Sequence, residues 1–257
     1  MPIPTYEIYA VKYGGPYNRP ACIVNWFQDM DKTAQINYYI FVIRGGGETI
    51  VVDCGVDPQL AKQRNLDCYV SPAEALRRMG IDAASVKHLI VTHVHFDHIS
   101  GIQLFPKADI YIQEKEFNFW VKNPVAQRAP FLFVTDSVAN RYLAGQKGKK
   151  RLRLIRGDKK IFPGIELLLT PGHTIGLQAV AVNTAQGTAI VGSDLAHTFS
   201  SYKTDIPSAI ITDLIVWMKS YDKVKAKVSS PDLLFPGHDL ALMADYPKVA
   251  EDITRLA

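Results

Sequence analysis

The sequence predicts a mixed α/β protein, on three observations. Short apolar runs rich in Val, Ile and Leu recur along the whole chain; most stop at a turn that carries Asp or His; and the stretches between them include helix start signals and helical apolar spacing. With 47% hydrophobic and 21% charged residues over 257 positions, the chain has enough apolar material for a sizeable core, in one large domain or two small ones.

The elements follow in order. Residues 6 to 13 alternate well enough for a strand. Gly14 to Lys32, rich in Gly, Pro, Asn and aromatics, reads as a long loop in which Tyr17, Trp26 and Phe27 are candidates for a pocket wall. Ile36 to Ile43 and Thr49 to Val52 are β-branched and aromatic runs joined by Arg-Gly-Gly-Gly-Glu, a hairpin signal, and the second ends in Asp53-Cys-Gly-Val-Asp57. Ser71-Pro-Ala-Glu74 opens a helix, with Ser71 as N-cap, Pro72 in the first turn and Glu74 placed for a capping box, and Gly80 closes it. Lys87 to Thr92 is a strand, and Asp109 to Gln113 is another that feeds a helix starting near Glu114.

Residues 117 to 153 lose clear periodicity and read as a helical insertion able to cover a site. Ile165 to Thr170 runs into Pro171-Gly-His173, and Thr188 to Gly192 into Ser193-Asp194. Ser208 to Val228 places Ile211, Leu214, Ile215, Met218 and Tyr221 on one helical face. Leu233 to Asp239 is a last strand and turn, followed by a short helix over 246–256.

The most informative stretch is His93-Val-His95-Phe-Asp97-His98, where four metal-binding side chains fall within six residues directly after an apolar strand. Imidazole nitrogens and a carboxylate suit Zn(II) or another first-row divalent ion, and three histidines are an odd choice for a merely solvated strand face. His173, Asp194 and His238 also sit just past strand ends, and rigid strands can bring such ends together at one sheet edge. Seven ligands exceed one tetrahedral ion, which takes about four including water, and suit two ions that share Asp194.

Composition narrows the rest. The three cysteines, Cys22, Cys54 and Cys68, form no C-x-x-C pair and predict reduced thiols, not a disulfide framework. No apolar run reaches the roughly 18 to 20 residues of a membrane span and no signal peptide opens the chain, so a cytoplasmic protein is expected. The net charge of +4 is modest and densest over Lys147 to Arg153, a run read first as a solvated loop, so no nucleic-acid partner is expected.

Taken together, Thr92-His-Val-His-Phe-Asp-His98, Thr170-Pro-Gly-His-Thr174, Gly192-Ser-Asp194 and Pro236-Gly-His-Asp239 resemble the binuclear hydrolase branch of the metallo-β-lactamase superfamily. The resemblance covers nearly the whole chain and implies a single domain over 1–257, an αβ/βα four-layer sandwich with the insertion around 117–153. It implies that His93, His95 and His173 hold one ion, that Asp97, His98 and His238 hold the other, and that Asp194 bridges them. Asp53 matches a carboxylate that in the family accepts the remaining N–H of a metal-binding histidine. The ions would be two divalent cations, Zn(II) first, with Mn(II), Fe(II) and Co(II) as alternatives.

The implied chemistry is attack of a hydroxide activated between the ions on the carbonyl of a small molecule, with Asp97 moving a proton to the leaving group. Within the superfamily the chain looks closest to N-acyl homoserine lactonases, so opening of a cyclic ester or amide is expected. It departs from them at two positions. His197 stands where those lactonases usually carry a Tyr three residues beyond the bridging Asp, and Gly176-Leu-Gln178 stands where they often carry a further His. His197 is therefore a candidate catalytic residue, able to donate a hydrogen bond near neutral pH. The alternatives are a glyoxalase-II-like thioesterase whose basic pocket comes from Lys147 to Arg153, a phosphodiesterase, and a non-catalytic zinc-binding protein. The aromatic N-terminal stretch serves a homodimer contact as readily as a pocket.

Overall fold

The computed structural model describes residues 2–257. Thirteen strands run in chain order: β1 (Tyr6–Pro20), β2 (Thr33–Gly45), β3 (Glu48–Val52), β4 (His88–Ile90), β5 (Asp109–Gln113), β6 (Leu152–Ile155), β7 (Lys159–Phe162), β8 (Ile165–Leu169), β9 (Gln178–Thr184), β10 (Gly187–Ser193), β11 (Leu234–Pro236), β12 (Lys248–Ala250) and β13 (Ile253–Arg255). They form an eight-stranded sheet in the order β12-β13-β1-β2-β3-β4-β5-β6 and a five-stranded sheet in the order β11-β10-β9-β8-β7.

The apolar runs read as near-continuous because both faces of most strands are covered, which removes the in-and-out alternation of a half-buried strand. On β2, Tyr39, Phe41 and Ile43 point to the second sheet, while Ile40 and Val42 point to the helical side. On β9, Val180 and Val182 meet the first sheet, while Ala179 and Ala181 lie under Trp217, Tyr221 and Val224 of the helix Leu214–Lys227. Three apolar layers thus separate helix, sheet, sheet and helix, which is the four-layer αβ/βα sandwich. No helix among the described residues is long and apolar enough to cross a membrane.

The hairpin between β2 and β3 turns at Gly46 and Gly47, both at positive φ. The Ser71 hydroxyl accepts from Glu74 N at 3.2 Å, as the start signal predicts.

Three readings are corrected. Gly14 to Pro20 is not loop but the outer half of β1, paired with β2 through register shifts at Lys12/Gly14 and Gly14/Tyr17; the bulges, with Gly15 at φ 100, absorb the residues that break strand alternation. The stretch 246–256 is not a helix: β12 and β13 lie there, and β13 pairs with β1 through Tyr9↔Arg255 and Val11↔Ile253. The helix expected over 208–228 begins only at Leu214, capped by the Asp213 carboxylate, and its buried face is Trp217, Ser220, Tyr221 and Val224. Ile215 is 71% exposed, because Trp217 claims the core side one-half turn away. Lys147 to Arg153 keeps its first reading as a solvated run, with Lys147, Lys149 and Lys150 exposed, Arg151 donating to the Ala108 and Phe105 carbonyls and Arg153 paired with Asp109.

Candidate metal centre

The site collects at one edge of the sandwich because the parallel strands β3 and β4, and the strands β8, β10 and β11, all deliver their C-terminal ends there. Asp53 follows β3, Thr92 and His93 follow β4, His173 follows β8, Asp194 follows β10 and His238 follows β11. Cross-links fix these ends to one another. Gln178 N donates to the Thr92 carbonyl at 3.0 Å, and Asn37 N donates to the His238 carbonyl at 3.0 Å.

All seven expected ligands are buried and convergent. His93, His95, His173 and Asp194 form one group whose donor atoms lie within 4.8 Å of one another, and Asp97, His98 and His238 form a second. Asp194 spans both: its Oδ2 is 3.2 Å from His173 Nε2 and 3.7 Å from His93 Nε2, while its Oδ1 is 3.2 Å from His98 Nε2 and 3.0 Å from His238 Nε2. Gly237 permits this approach, since a Cβ there would collide with Asp194 Oδ1.

Four of the five ligand imidazoles, those of His93, His98, His173 and His238, are held at Nδ1 and offer Nε2. His173 Nδ1 donates to the Ile210 carbonyl at 2.8 Å and His238 Nδ1 to the Asn37 carbonyl at 2.9 Å, leaving both Nε2 atoms as acceptors aimed inward. His98 Nδ1 meets Asp53 Oδ2 at 2.8 Å. Asp53 Oδ1 in turn accepts from Thr92 N at 2.7 Å, and the Thr92 hydroxyl lies 3.0 Å from His93 Nδ1. Asp53 and Ser193 are non-glycine residues at φ 66 and 49, left-handed conformations that cost about 1–3 kcal/mol each and persist where surrounding bonds over-determine them. Asp53 is so determined by Thr92, His98 and Ser193.

The donor set fits divalent ions. His93 Nε2, His98 Nε2 and Asp194 Oδ1 are buried without a hydrogen-bond partner, and His95 Nδ1 lies 2.9 Å from His173 Nε2 in the same inward-facing group. Adjacent ligands of a tetrahedral ion with bonds near 2.0–2.1 Å are about 3.3 Å apart. The observed separations, from 2.9 Å for His95 to His173 up to 3.7 Å for Asp97 to His98 and His238, bracket that value.

Charge is divided across the cluster: the neighbouring carboxylates, Asp194 first, outweigh burial and hold His98 and His238 above the ordinary imidazole range. Burial, reinforced by neighbouring imidazoles, holds His93 and His95 well below the ordinary imidazole range. Burial alone would raise the Asp194 carboxyl, but His238, His98 and His197 outweigh it and keep it ionised.

His197 lies in the same cluster, its Nε2 3.5 Å from Asp194 Oδ2 and its ring 5.1 Å from that of His238 and 5.2 Å from that of His173. Burial holds it well below the ordinary range too, so at neutral pH it is a neutral imidazole. His88 is elsewhere, packed on Phe162 and 3.3 Å from Glu48.

Above the cluster opens a cavity of ≈ 380 Å³ that reaches His95, Asp97, Asp194, His197 and His238. Its apolar wall includes Ile23, Val24, Ile36, Phe96, Phe133 and Ile210. Tyr17, Trp26 and Phe27 do not line it: Tyr17 packs on Tyr38, and Phe27 is 64% exposed. The segment after Phe117 does reach the cavity, through Phe133 and Val134, whose carbonyl accepts from Phe96 N at 2.9 Å.

Glu116 was not legible as part of the site. Fully buried, its Oε1 accepts from Val94 N at 3.0 Å and Trp120 Nε1 at 2.7 Å, and its Oε2 from Gly176 N at 2.8 Å, so it ties the His93-Val-His95 segment to the turn after His173. Only the helical register of Glu116 with Trp120 hinted at it.

A sequence profile of the metallo-beta-lactamase superfamily matches residues 34–238. An N-acyl homoserine lactonase of Bacillus sp is 27% identical over 167 residues, which is 64% of this chain and 60% of that relative, so the alignment spans about three fifths of its length. A solved quorum-quenching N-acyl homoserine lactone lactonase superposes with a TM-score of 0.78 at 22% identity, covering 95% of this chain and 96% of the other. An N-acyl homoserine lactone hydrolase with N-hexanoyl-L-homoserine bound at its catalytic metal centre superposes with a TM-score of 0.77 at 20% identity, covering 95% and 97%.

Proposed function

Because the chain belongs to the metallo-β-lactamase superfamily, we propose that it is a binuclear metal-dependent hydrolase that opens the ring of a small lactone or cyclic amide. The observation that carries this reading is the division of Asp194, one carboxylate oxygen toward His93 and His173 and the other toward His98 and His238. In this reading His93, His95 and His173 hold one divalent ion, Asp97, His98 and His238 hold the second, and Asp194 bridges them. Zinc is the first choice, since a buried set of imidazoles and carboxylates at these spacings suits it.

Divalent ions bound there would bring water to a pKa of about 7 and polarise a carbonyl. The protein's own groups do the rest. Asp53 fixes His98 by taking its Nδ1–H, and the Ile210 and Asn37 carbonyls fix His173 and His238, so no ligand must reorganise during the reaction. Asp97 lines the cavity, which supports a role for it in carrying a proton to the leaving oxygen or nitrogen. His197, neutral and cavity-lining, donates a hydrogen bond to oxygen that gains charge as the ring opens, the task a Tyr would perform at that position. The apolar wall excludes bulk water and receives the substrate body.

The volume, ≈ 380 Å³, sits at the small end of the roughly 300–1,000 Å³ usual for ligand pockets, which favours a compact substrate. Metal-loaded protein assayed against a panel of lactones, lactams and cyclic imides, with an acyl thioester for contrast, tests the reading. Ring opening is expected; turnover of the thioester alone, or of nothing in the panel, would refute it.

A further inference from the structure

The cavity holds two cations that the ring-opening step does not use. Arg19, at the end of β1, and Arg64, just past the helix Pro58–Gln63, both line it together with the His and Asp cluster. Each is half-buried and fixed against an aromatic ring that touches the cluster. Arg64 Cζ lies 3.8 Å from the centroid of Phe96, and its Nη2 donates to the Phe133 carbonyl at 3.0 Å. Arg19 Nη2 donates to the Tyr38 hydroxyl at 3.0 Å, and the Tyr38 ring is 5.5 Å from His238.

Among the described residues, neither guanidinium has a carboxylate within ion-pair distance. Asp97 and Asp194, the acids that share the cavity, are turned to the imidazoles of His98 and His238. Arg19 uses Nη1 and Nη2 in hydrogen bonds and Arg64 only Nη2, so both retain donors.

A neutral, apolar substrate tail filling this cavity would strip water from two unpaired charges, a cost with no compensation. An anionic group removes that cost and gains charge-assisted N–H···O bonds, for which the planar guanidinium fork matches a carboxylate. We propose that the substrate is a small lactone or cyclic amide that bears a free carboxylate away from the scissile bond, recognised by Arg19 and Arg64. This rests on the ring-opening reading for the reaction but on separate residues for the anion.

Two measurements test it. In the first, calorimetry on metal-loaded protein compares the diacids glutarate and adipate with the monoacids pentanoate and hexanoate. All four offer one carboxylate to the cluster, and only the diacids offer a second. The better diacid should bind about ten- to a hundredfold tighter than its monoacid partner, the range expected for hydrogen bonds to charged groups. Arg19→Met and Arg64→Met, which keep an apolar stem, should each reduce that preference, and Arg64→Lys should restore it only in part because the fork is lost. A diacid that binds no tighter than its monoacid, or a preference that survives both methionine variants, overturns the proposal.

In the second, turnover of a γ-butyrolactone bearing a ring carboxylate is compared with that of its primary amide. A kcat/KM ratio well above ten in favour of the carboxylate, falling toward one in the variants, is expected; equal turnover overturns the carboxylate assignment. Diacid preference without any ring opening would retain the anion site and reject the reaction, whereas ring opening without carboxylate preference would do the reverse.

Discussion

Asp194→Ala and His238→Ala should strip the centre differently. With Asp194 in place, each ion would have four protein donors: His93, His95, His173 and Asp194 on one side, Asp97, His98, His238 and Asp194 on the other. Asp194→Ala takes one donor from both sides; His238→Ala takes one from the second side only. Losing a residue that merely orients a ligand costs about 10–100-fold in metal affinity, so losing a direct donor should cost at least that, or roughly 1.4–2.7 kcal/mol per affected ion. Asp194→Ala also removes the anion that offsets the nearby imidazoles of His238, His98 and His197, which adds repulsion between any ions that remain. The assay is elemental analysis of protein equilibrated in zinc buffered about tenfold above the wild-type dissociation constant, with circular dichroism to verify the fold. Wild type should carry close to two ions, His238→Ala about 1.0–1.4, and Asp194→Ala about one or fewer. Equal metal content in wild type and Asp194→Ala, or loss of both ions from His238→Ala, would refute the shared bridge.

Three further outcomes follow from the same geometry. Asp53→Asn leaves His98 Nδ1 without its carboxylate and should weaken the second ion by about 10–100-fold while sparing the first, read by zinc titration against a chromophoric chelator. His197→Phe keeps a ring in the cluster but removes the donor, and should lower kcat by about a hundredfold or more with little change in metal content; a kcat within threefold of wild type would rule out its catalytic role. Glu116→Ala strands the buried N–H groups of Val94, Trp120 and Gly176, so urea unfolding should show a loss of about 3 kcal/mol or more, and Glu116→Gln, which keeps some acceptor capacity, should lose less.

What could be read from the chain was local. His93, His95, Asp97 and His98 share one short segment, and His173, Asp194 and His238 each follow an apolar run, so strand ends and ligand chemistry coincide in sequence before they coincide in space. Long-range pairing hid other parts. β13 is three residues long and exists because β1 offers an edge, so the helical signal over 246–256 lost to a tertiary contact. The Leu214–Lys227 helix was legible and so was part of its facing, since Tyr221 is buried and Met218 packs beside it, but Trp217, whose indole N–H donates to the Leu195 carbonyl, takes the core side in place of Ile215. Glu116 reads as an ordinary surface acid of a first helical turn until the three N–H groups it collects, two of them distant in sequence, are brought beside it.

The same contrast separates reaction from specificity. The candidate ligands sit at or just past the ends of buried strands, with Asp97 and His98 on the short helix that follows β4 and His95 at its N-cap. Besides Ile36 and Tyr38 of β2, the cavity wall comes from places with little periodicity to betray them: Arg19 to Val24 where β1 ends, Arg64 after a helix, Phe133 and Val134 between two short helices, and Ile210 ahead of a long one. Such positions can change residue type without disturbing the strands, and a single exchange there alters charge inside the cavity while leaving the ligands in register. His173 marks where the two parts meet, because its Nδ1–H is fixed by the carbonyl of Ile210, itself a wall residue.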